Sequence, residues 1–158
     1  MTAVRLRCSS LLACPVERLT QELTRPVLLN RVAAPMLTFI PVDPPGWADR
    51  WELRPYVFAL AVGGRVPLGR HTIDPQPPSG AHEVWHDAGH SGLIRVWDHR
   101  IELEDVHGMT RYTDAVEVHA GLLTPLAWLF ASFFYRHRQR RLDRLVTGGF
   151  AEGAEGCR

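Results

Sequence analysis

Residues 82–90 read HEVWHDAGH and contain the pattern HExxH, which is typical of zinc proteases. On a helix, two histidines at this spacing bind zinc from one face, and the glutamate between them activates water. On a strand, His82 and His86 would lie about 13 Å apart, which is too far for one tetrahedral zinc. The segment PQPPSG upstream and Gly89 and Gly92 downstream leave room for only about two helical turns. We therefore predict a strand whose polar histidines face a cavity or solvent, with no metal or other cofactor.

Two later segments, residues 93–104 and 109–120, alternate between apolar and polar residues as half-buried strands do. In the first segment the even positions become charged, so we expect its odd positions to face inward. In the second segment the even positions form the better inward set. The predicted inward residues are Leu93, Arg95, Trp97, His99, Ile101 and Leu103 on the first strand and Thr110, Tyr112, Asp114, Val116 and Val118 on the second.

The register of these two strands decides which of their polar residues meet. A four-residue loop over residues 105–108 pairs Glu104 with Met109. In that register His99 lies opposite Asp114 on the inner face. The pair has three interpretations: it fixes the sheet, it forms the polar end of a ligand pocket, or it is a general acid–base dyad with His99 as the base. The sequence leaves all three open.

The segment LLTPLAWLFASFFY at 122–135 has 14 residues, fewer than the roughly 20 that a membrane-spanning helix needs. We predict a buried helix that Thr124 caps, that begins at Pro125 and that continues to about Val146. A basic tract, RHRQRR, follows at 136–141. It leaves a membrane-surface anchor open as the alternative.

The inward stripe of this helix is apolar except at Arg138. An arginine at that position either extends to solvent at the mouth of a cavity or binds a ligand carboxylate or phosphate. The apolar members of the stripe are Ala127, Phe130, Ala131, Phe134, Leu142 and Leu145.

The remaining segments complete the order of elements, which is strand, two short helices, six strands and the long helix. Alternation predicts the first strand over residues 4–12, and the short helices fall at 16–23 and 27–33. Glycine, proline or short polar turns separate the six later strands, so we expect an antiparallel meander. These strands are predicted at 36–42, 51–62, 65–73, 81–89, 93–104 and 109–120.

This order, the segment GMTRYTDAVEVHAG and the following TPLAWLFASFFYRHRQRRL resemble the SRPBCC or START-like superfamily. The superfamily includes polyketide cyclases, lipid-transfer domains and coenzyme Q-binding proteins. The resemblance implies an α+β helix-grip fold, in which a curved seven-stranded antiparallel sheet wraps around the C-terminal helix and encloses a ligand cavity. It does not select one function, because this fold occurs in carriers, receptors and enzymes.

We expect a small, largely apolar ligand in that cavity, such as a lipid, a polyketide or a quinone-like molecule. A carrier is favoured over a cyclase or dehydratase, and a module that binds a protein partner or a membrane surface is the third class. Tyr56 is the weakest site residue, because both faces of its predicted strand are apolar. The predicted ligand-binding residues are Tyr56, Trp97, His99, Tyr112, Asp114, Phe130, Phe134 and Arg138.

Composition limits the remaining classes. With 158 residues, 46% of them apolar and 22% charged, and a formal charge of +1, the chain resembles an ordinary globular protein rather than a nucleic-acid binder. We expect one domain over residues 1–147 and a flexible tail over 148–158. Three cysteines without metal-ligand spacing favour a reducing cytoplasm over a disulfide framework. A homodimer is compatible with the sequence.

Overall fold

The computed structural model describes residues 2–151, which contain eight strands and three α-helices. The strands are β1 (Val4–Leu12), β2 (Leu37–Asp43), β3 (Tyr56–Val62), β4 (Val66–Ile73), β5 (Pro75–Gln76), β6 (Glu83–Ser91), β7 (Val96–Val106) and β8 (Met109–His119). The helices are α1 (Val16–Leu23), α2 (Leu28–Ala33) and α3 (Thr124–Thr147), and a 3-10 turn at Gly121–Leu123 precedes α3.

The strands form one antiparallel sheet in the order β1-β8-β7-β6-β4-β3-β2, and β5 pairs with β6. The long strands from β2 to β8 follow one another as a meander, and β1 closes the order by pairing with β8. The sheet therefore has the seven predicted strands and one additional two-residue strand. Helix α3 packs against β1, β8 and α2. The predicted α+β helix-grip fold is confirmed.

The turn between β7 and β8 differs from the prediction. It consists of His107 and Gly108, whose φ angles of 53° and 81° suit a two-residue hairpin turn. Val106 therefore pairs with Met109, and the register differs by two residues from the one that a four-residue loop would give. Because side chains alternate with a period of two, both predicted inward faces are retained within the two strands. The prediction is wrong for Leu93 and Arg95, which lie before the start of β7 and are exposed.

Strand β3 is shorter than predicted, because it begins at Tyr56 rather than at Trp51. The Trp51 backbone N–H donates to the Thr24 carbonyl oxygen at 2.9 Å. Its ring packs against the rings of Tyr56 and Trp85, with centroids 4.9 and 5.0 Å away. Trp51 thus packs into the apolar interior instead of extending the strand.

Helix α3 begins one residue earlier than predicted, and the prediction that Thr124 caps it is wrong. Thr124 is the first helical residue. Its hydroxyl donates to the Gly121 carbonyl oxygen at 2.7 Å and accepts from the Ala120 N–H at 3.0 Å. These bonds close the 3-10 turn instead of satisfying the N-terminus of the helix.

The apolar segment at 122–135 is buried on one face only, although we predicted a wholly buried helix. The inward stripe faces the sheet, and its buried residues are Ala131, Phe134, Leu142 and Leu145. Six large apolar residues of the segment are exposed, which are Leu122, Leu123, Leu126, Trp128, Leu129 and Phe133. No helix among residues 2–151 is long and apolar enough to cross a membrane.

Phe150 packs onto the fold, near the start of the segment predicted to be a flexible tail. Phe150 is only 6% exposed and belongs to a core cluster. Arg31 fixes the backbone there by donating to the carbonyl oxygens of Phe150 at 3.3 Å and of Ala151 at 2.9 Å. The tail boundary at residue 148 stays a prediction, and residues 152–158 lie outside the described residues.

Candidate functional site

The inner face of the sheet, α2 and α3 surround a cavity of about 400 Å³. This volume lies in the range of small-molecule sites in proteins. The wall is mainly apolar and aromatic, and includes Val32, Phe39, Trp51, Trp85, Phe130 and Phe134. Four of the lining leucines are exposed, so they mark the opening of the cavity. They are Leu68, Leu93, Leu123 and Leu126.

A row of polar side chains crosses the inner face of the sheet, with His71 on β4, Asp87 on β6, His99 on β7 and Asp114 on β8. Asp87 and His99 are register partners on neighbouring strands. An added Cβ at Gly89 would lie 3.1 Å from both His71 Nε2 and Asp87 Oδ2, so these two side chains approach the same point. His71, Asp87 and His99 line the cavity, and Asp114, at 0% exposure, lies behind His99.

Asp114 is held by several hydrogen bonds. Its Oδ1 accepts from the Tyr112 hydroxyl at 2.8 Å and lies 2.7 Å from His99 Nε2. Its Oδ2 accepts from the Gln139 amide at 3.0 Å. Burial alone raises the pKa of Asp114, but the Arg138 charge and the donated hydrogen bonds lower that pKa more, so it lies below its ordinary value. The carboxylate is therefore ionised at neutral pH.

This carboxylate holds His99 in one tautomer. Burial lowers the pKa of His99 more than the hydrogen bond to Asp114 raises it, so the ring is neutral at pH 7. An ionised carboxylate can only accept, so the ring proton lies on Nε2 and Nδ1 is a lone-pair acceptor. The ring also packs against Tyr135 at a centroid distance of 4.8 Å. His99 can thus act as a hydrogen-bond acceptor or a base through Nδ1.

Asp87 and His71 are the other titratable members of the row. Asp87 Oδ1 accepts the Asp74 N–H at 2.8 Å. Burial raises the pKa of Asp87 to about 8, so the carboxyl group is largely protonated at pH 7 and has an O–H to donate. Burial also lowers the pKa of His71 to about 4, so its ring is neutral. Both groups therefore offer hydrogen bonds to the cavity without a net charge.

Arg138 on α3 brings a permanent charge to the cavity wall, although it is only 7% exposed. Its Nη2 donates to the Tyr112 hydroxyl at 3.3 Å, and its Nε lies 3.8 Å from Asp114 Oδ1. Burial alone would lower the pKa of Arg138, but Tyr112 and Asp114 raise it above its ordinary value. The guanidinium is charged at every pH at which the protein folds.

Seven of the eight predicted ligand-binding residues fall into two groups. Those that line the cavity are Trp97, His99, Phe130, Phe134 and Arg138. Tyr112 and Asp114 are buried behind the wall and hold His99 and Arg138 by hydrogen bonds and charge. They are supporting residues rather than wall residues.

Tyr56 is placed away from the cavity wall. Its hydroxyl accepts the Glu52 N–H at 3.0 Å, and the Arg54 guanidinium lies 5.1 Å from its ring centroid. The ring packs edge-on against Trp51. Tyr56 thus supports Trp51, which does line the cavity.

The contact between His99 and Asp114 is present, but the predicted register that led to it is wrong. Ile101 lies opposite Asp114, and His99 lies opposite Val116. His99 reaches the carboxylate diagonally, at 2.7 Å. Diagonal neighbours on one face of a sheet are close enough for long side chains to meet, which is why the contact survives the shift.

Residues 83–90 of the segment HEVWHDAGH lie on β6 and His82 precedes it, so the strand prediction is confirmed. His86 lies on the outer face, where its Nε2 is 2.8 Å from Asp98 Oδ2. Within residues 2–151, no group of three or more His, Cys, Asp or Glu side chains is arranged to hold a metal ion. Trp85, Asp87 and Ser91 of this strand line the cavity, and Gly89 lies on the same face beside Asp87.

Three polar residues of the site were not predicted: His71, Asp87 and Gln139. A signal existed for Asp87, because Gly89 lies on the same face and a glycine within a strand marks a close approach of other atoms. Gln139 had no such signal, because it lies within the polar, basic tract RHRQRR at 136–141, where side chains normally face solvent. His71 had no signal either, because the earlier residues of its strand are all exposed and the strand therefore has no buried face that the sequence could indicate.

A scan of protein-family models finds no match to this sequence, and a search of curated proteins finds none either. Solved structures match the fold. Norcoclaurine synthase from Thalictrum flavum has a TM-score of 0.69 at 7% identity, over 95% of this chain and 98% of that one. A START superfamily protein from Mycobacterium smegmatis has a TM-score of 0.64 at 11% identity, over 91% and 97% of the two chains. A Thermus thermophilus protein has a TM-score of 0.67 at 11% identity, over 94% and 100%.

At these identities the similarity concerns the fold. The chain has the helix-grip fold of these structures, and the fold that the resemblance in the sequence implies is confirmed.

Proposed function

We propose that the protein binds one small, largely apolar molecule between the sheet and α3, and that the polar row orients it. The observation that carries this proposal is a mainly apolar space of about 400 Å³ lined by His71, Asp87, His99 and Arg138. Ligand sites in proteins typically combine an apolar wall with a few placed polar groups. The similar fold of norcoclaurine synthase holds a transition state analogue in its solved structure, which supports a small-molecule role.

The neutral dye N-phenyl-1-naphthylamine (NPN) tests this proposal, because its fluorescence rises in apolar surroundings. Ala127 lines the cavity from α3. Ala127→Trp fills space that the ligand needs, so NPN affinity should fall by at least about tenfold. Leu129→Trp is the matched control, because Leu129 is exposed on the same helix. Equal NPN affinity in both variants and the wild type would place the dye outside the cavity and contradict the proposal.

One observation favours acid–base catalysis as a second candidate function. Neutral His99 has a lone pair at Nδ1, protonated Asp87 has an O–H to donate, and the two are register partners. Such a pair can take a proton from the carbon next to a ketone carbonyl onto His99 while the Asp87 proton moves to the carbonyl oxygen. The product is the enol, with an imidazolium and a carboxylate left on the protein.

The probe 5-nitrobenzisoxazole tests this candidate. A base removes its ring C–H proton, the N–O bond breaks, and the electron pair ends on a coloured phenolate that a neighbouring donor stabilises. The wild type should accelerate the ring opening, and His99→Gln should remove the acceleration while NPN still binds. A wild-type rate no higher than that of free imidazole at equal concentration would contradict catalysis and leave the binding function standing.

A further inference from the structure

The guanidinium of Arg138 is buried with most of its hydrogen-bond donors unused. A guanidinium carries five N–H donors. Among residues 2–151, Nη2 makes one bond, at 3.3 Å to the Tyr112 hydroxyl, and Nε has no hydrogen-bond partner. Buried charged groups are stable only when their donors are satisfied. Arg138 therefore has N–H donors available to an acceptor in the cavity.

Asp114 does not supply that acceptor. Its Oδ1 lies 3.8 Å from Arg138 Nε, which is beyond hydrogen-bond distance. Its two oxygens are already engaged by His99, Tyr112 and Gln139. Asp114 thus offsets the charge of Arg138 from behind the wall and leaves the guanidinium donors available to a second acceptor.

The charges on the cavity wall favour an anion. The lining residues that carry a carboxyl or guanidinium group are Arg25, Arg70, Arg138 and Asp87. Asp87 is largely uncharged at pH 7, because burial raises its pKa to about 8. Arg25 lies 3.5 Å from the Glu22 carboxylate and Arg70 is exposed, so Arg138 is the buried cation of the wall. The described lining residues thus carry guanidinium groups and no ionised carboxylate, since Asp114 lies behind the wall.

We propose that the ligand is an apolar carboxylic acid whose carboxylate binds Arg138. The inference rests on the proposed function and names the class of molecule that the cavity accepts. A guanidinium can bind a carboxylate through two parallel hydrogen bonds, which fixes orientation as well as affinity. The apolar body of the acid then lies between the aromatic residues of the sheet and those of α3, and the Asp87 O–H is available to a further oxygen of the ligand.

Displacement of NPN by dodecanoate and by methyl dodecanoate tests the inference, because the two competitors share one hydrocarbon chain and differ in charge. The wild type should bind dodecanoate at least about tenfold more tightly than the ester, since hydrogen bonds between charged groups are strong. Arg138→Gln should abolish this preference. Arg140→Gln is the matched control, because Arg140 lies on the same helix but is exposed, and it should keep the preference. Arg138→Lys retains the positive charge but lacks the planar guanidinium, so it should keep only part of the preference for dodecanoate over the ester.

The possible outcomes separate this inference from the proposed function. Equal displacement by acid and ester in the wild type overturns the inference, while NPN binding leaves the proposed function standing. A preference that persists in folded Arg138→Gln overturns the role of Arg138. If Arg138→Gln does not fold, the acid-over-ester preference is measured in Arg138→Lys instead. A preference as large as that of the wild type in this variant overturns the role of the guanidinium. Absence of NPN binding in the wild type contradicts the proposed function itself.

Discussion

Asp87 on β6 lies opposite His99 on β7, and both residues line the same cavity. This register brings two titratable groups into one apolar environment. The environment acts on them in opposite senses, because burial raises the pKa of Asp87 to about 8 and lowers the pKa of His99. Both groups are therefore mainly neutral at pH 7. The wall offers neutral donors and acceptors next to one buried charge, that of Arg138.

Because of Asp87, the folded state should lose stability as the pH rises from the ordinary pKa of an aspartate, about 3.9, towards the folded value of about 8. The pKa of Asp87 is about 8 in the folded protein and about 3.9 in an unfolded chain. A raised pKa stabilises the fold at low pH, and this contribution is lost as the pH rises towards 8, by up to about 1.4 kcal/mol per pH unit.

Asp87→Asn isolates this effect, because the amide oxygen can still accept the Asp74 N–H and the side chain no longer titrates. The free energy of unfolding of Asp87→Asn minus that of the wild type, measured by urea denaturation, should increase from pH 6.5 to pH 8. A difference that stays constant with pH would show that Asp87 is ionised in the folded protein throughout this range.

Asp114→Asn should destabilise the fold by about 3–5 kcal/mol, because it leaves the buried Arg138 without its counter-charge. His99→Ala should cost less, and the double variant should lose less than the sum, because the two residues are coupled. Asp98→Asn is the matched control, since Asp98 also pairs with a histidine but on the outer face, and it should change stability by about 1 kcal/mol or less. Strictly additive losses in urea denaturation would contradict the coupling.

The fold was predictable where the signal is local. Strand β1 and helix α1 have the predicted ends, 4–12 and 16–23, because alternation and a proline before the helix are read within a few residues. The start of β3 was not predictable, because Trp51 packs in the interior against Trp85, which is distant in the chain. A tertiary contact of this kind has no counterpart in a local pattern.

The site was predictable in part, for a similar reason. The inward faces of β7 and β8 were correct because a two-residue change of register preserves alternation. Asp87 was missed because alternation along β6 separates two faces without showing which face is inward, and the pairing of Asp87 with His99 depends on a neighbouring strand. The protonation states of Asp87 and His71 depend on burial by several strands at once, which the sequence does not reveal.

Gly89→Ala should destabilise the fold by about 1–3 kcal/mol, because the new Cβ overpacks the polar row. It would lie 3.0 Å from the Thr72 carbonyl oxygen and 3.1 Å from both His71 Nε2 and Asp87 Oδ2. Gly92→Ala is the matched control, since no atom of the described chain lies within 4 Å of its added Cβ. Equal urea midpoints for the two variants would mean that His71 and Asp87 do not approach Gly89 in solution.

Phe150→Ala should lower the free energy of unfolding by about 3 kcal/mol, because it removes a buried ring that closes the core beyond the end of α3. The ring is 6% exposed, and the Arg18 guanidinium carbon lies 5.3 Å from its centroid. Alanine retains a Cβ, so the substitution does not relieve the backbone conformation at φ 60°. Phe133→Ala is the control, because Phe133 is 59% exposed on α3, and it should change stability by about 0.5 kcal/mol or less. Equal effects of the two substitutions in urea denaturation would show that the chain after α3 does not pack on the domain and that the tail begins, as the sequence suggests, at residue 148.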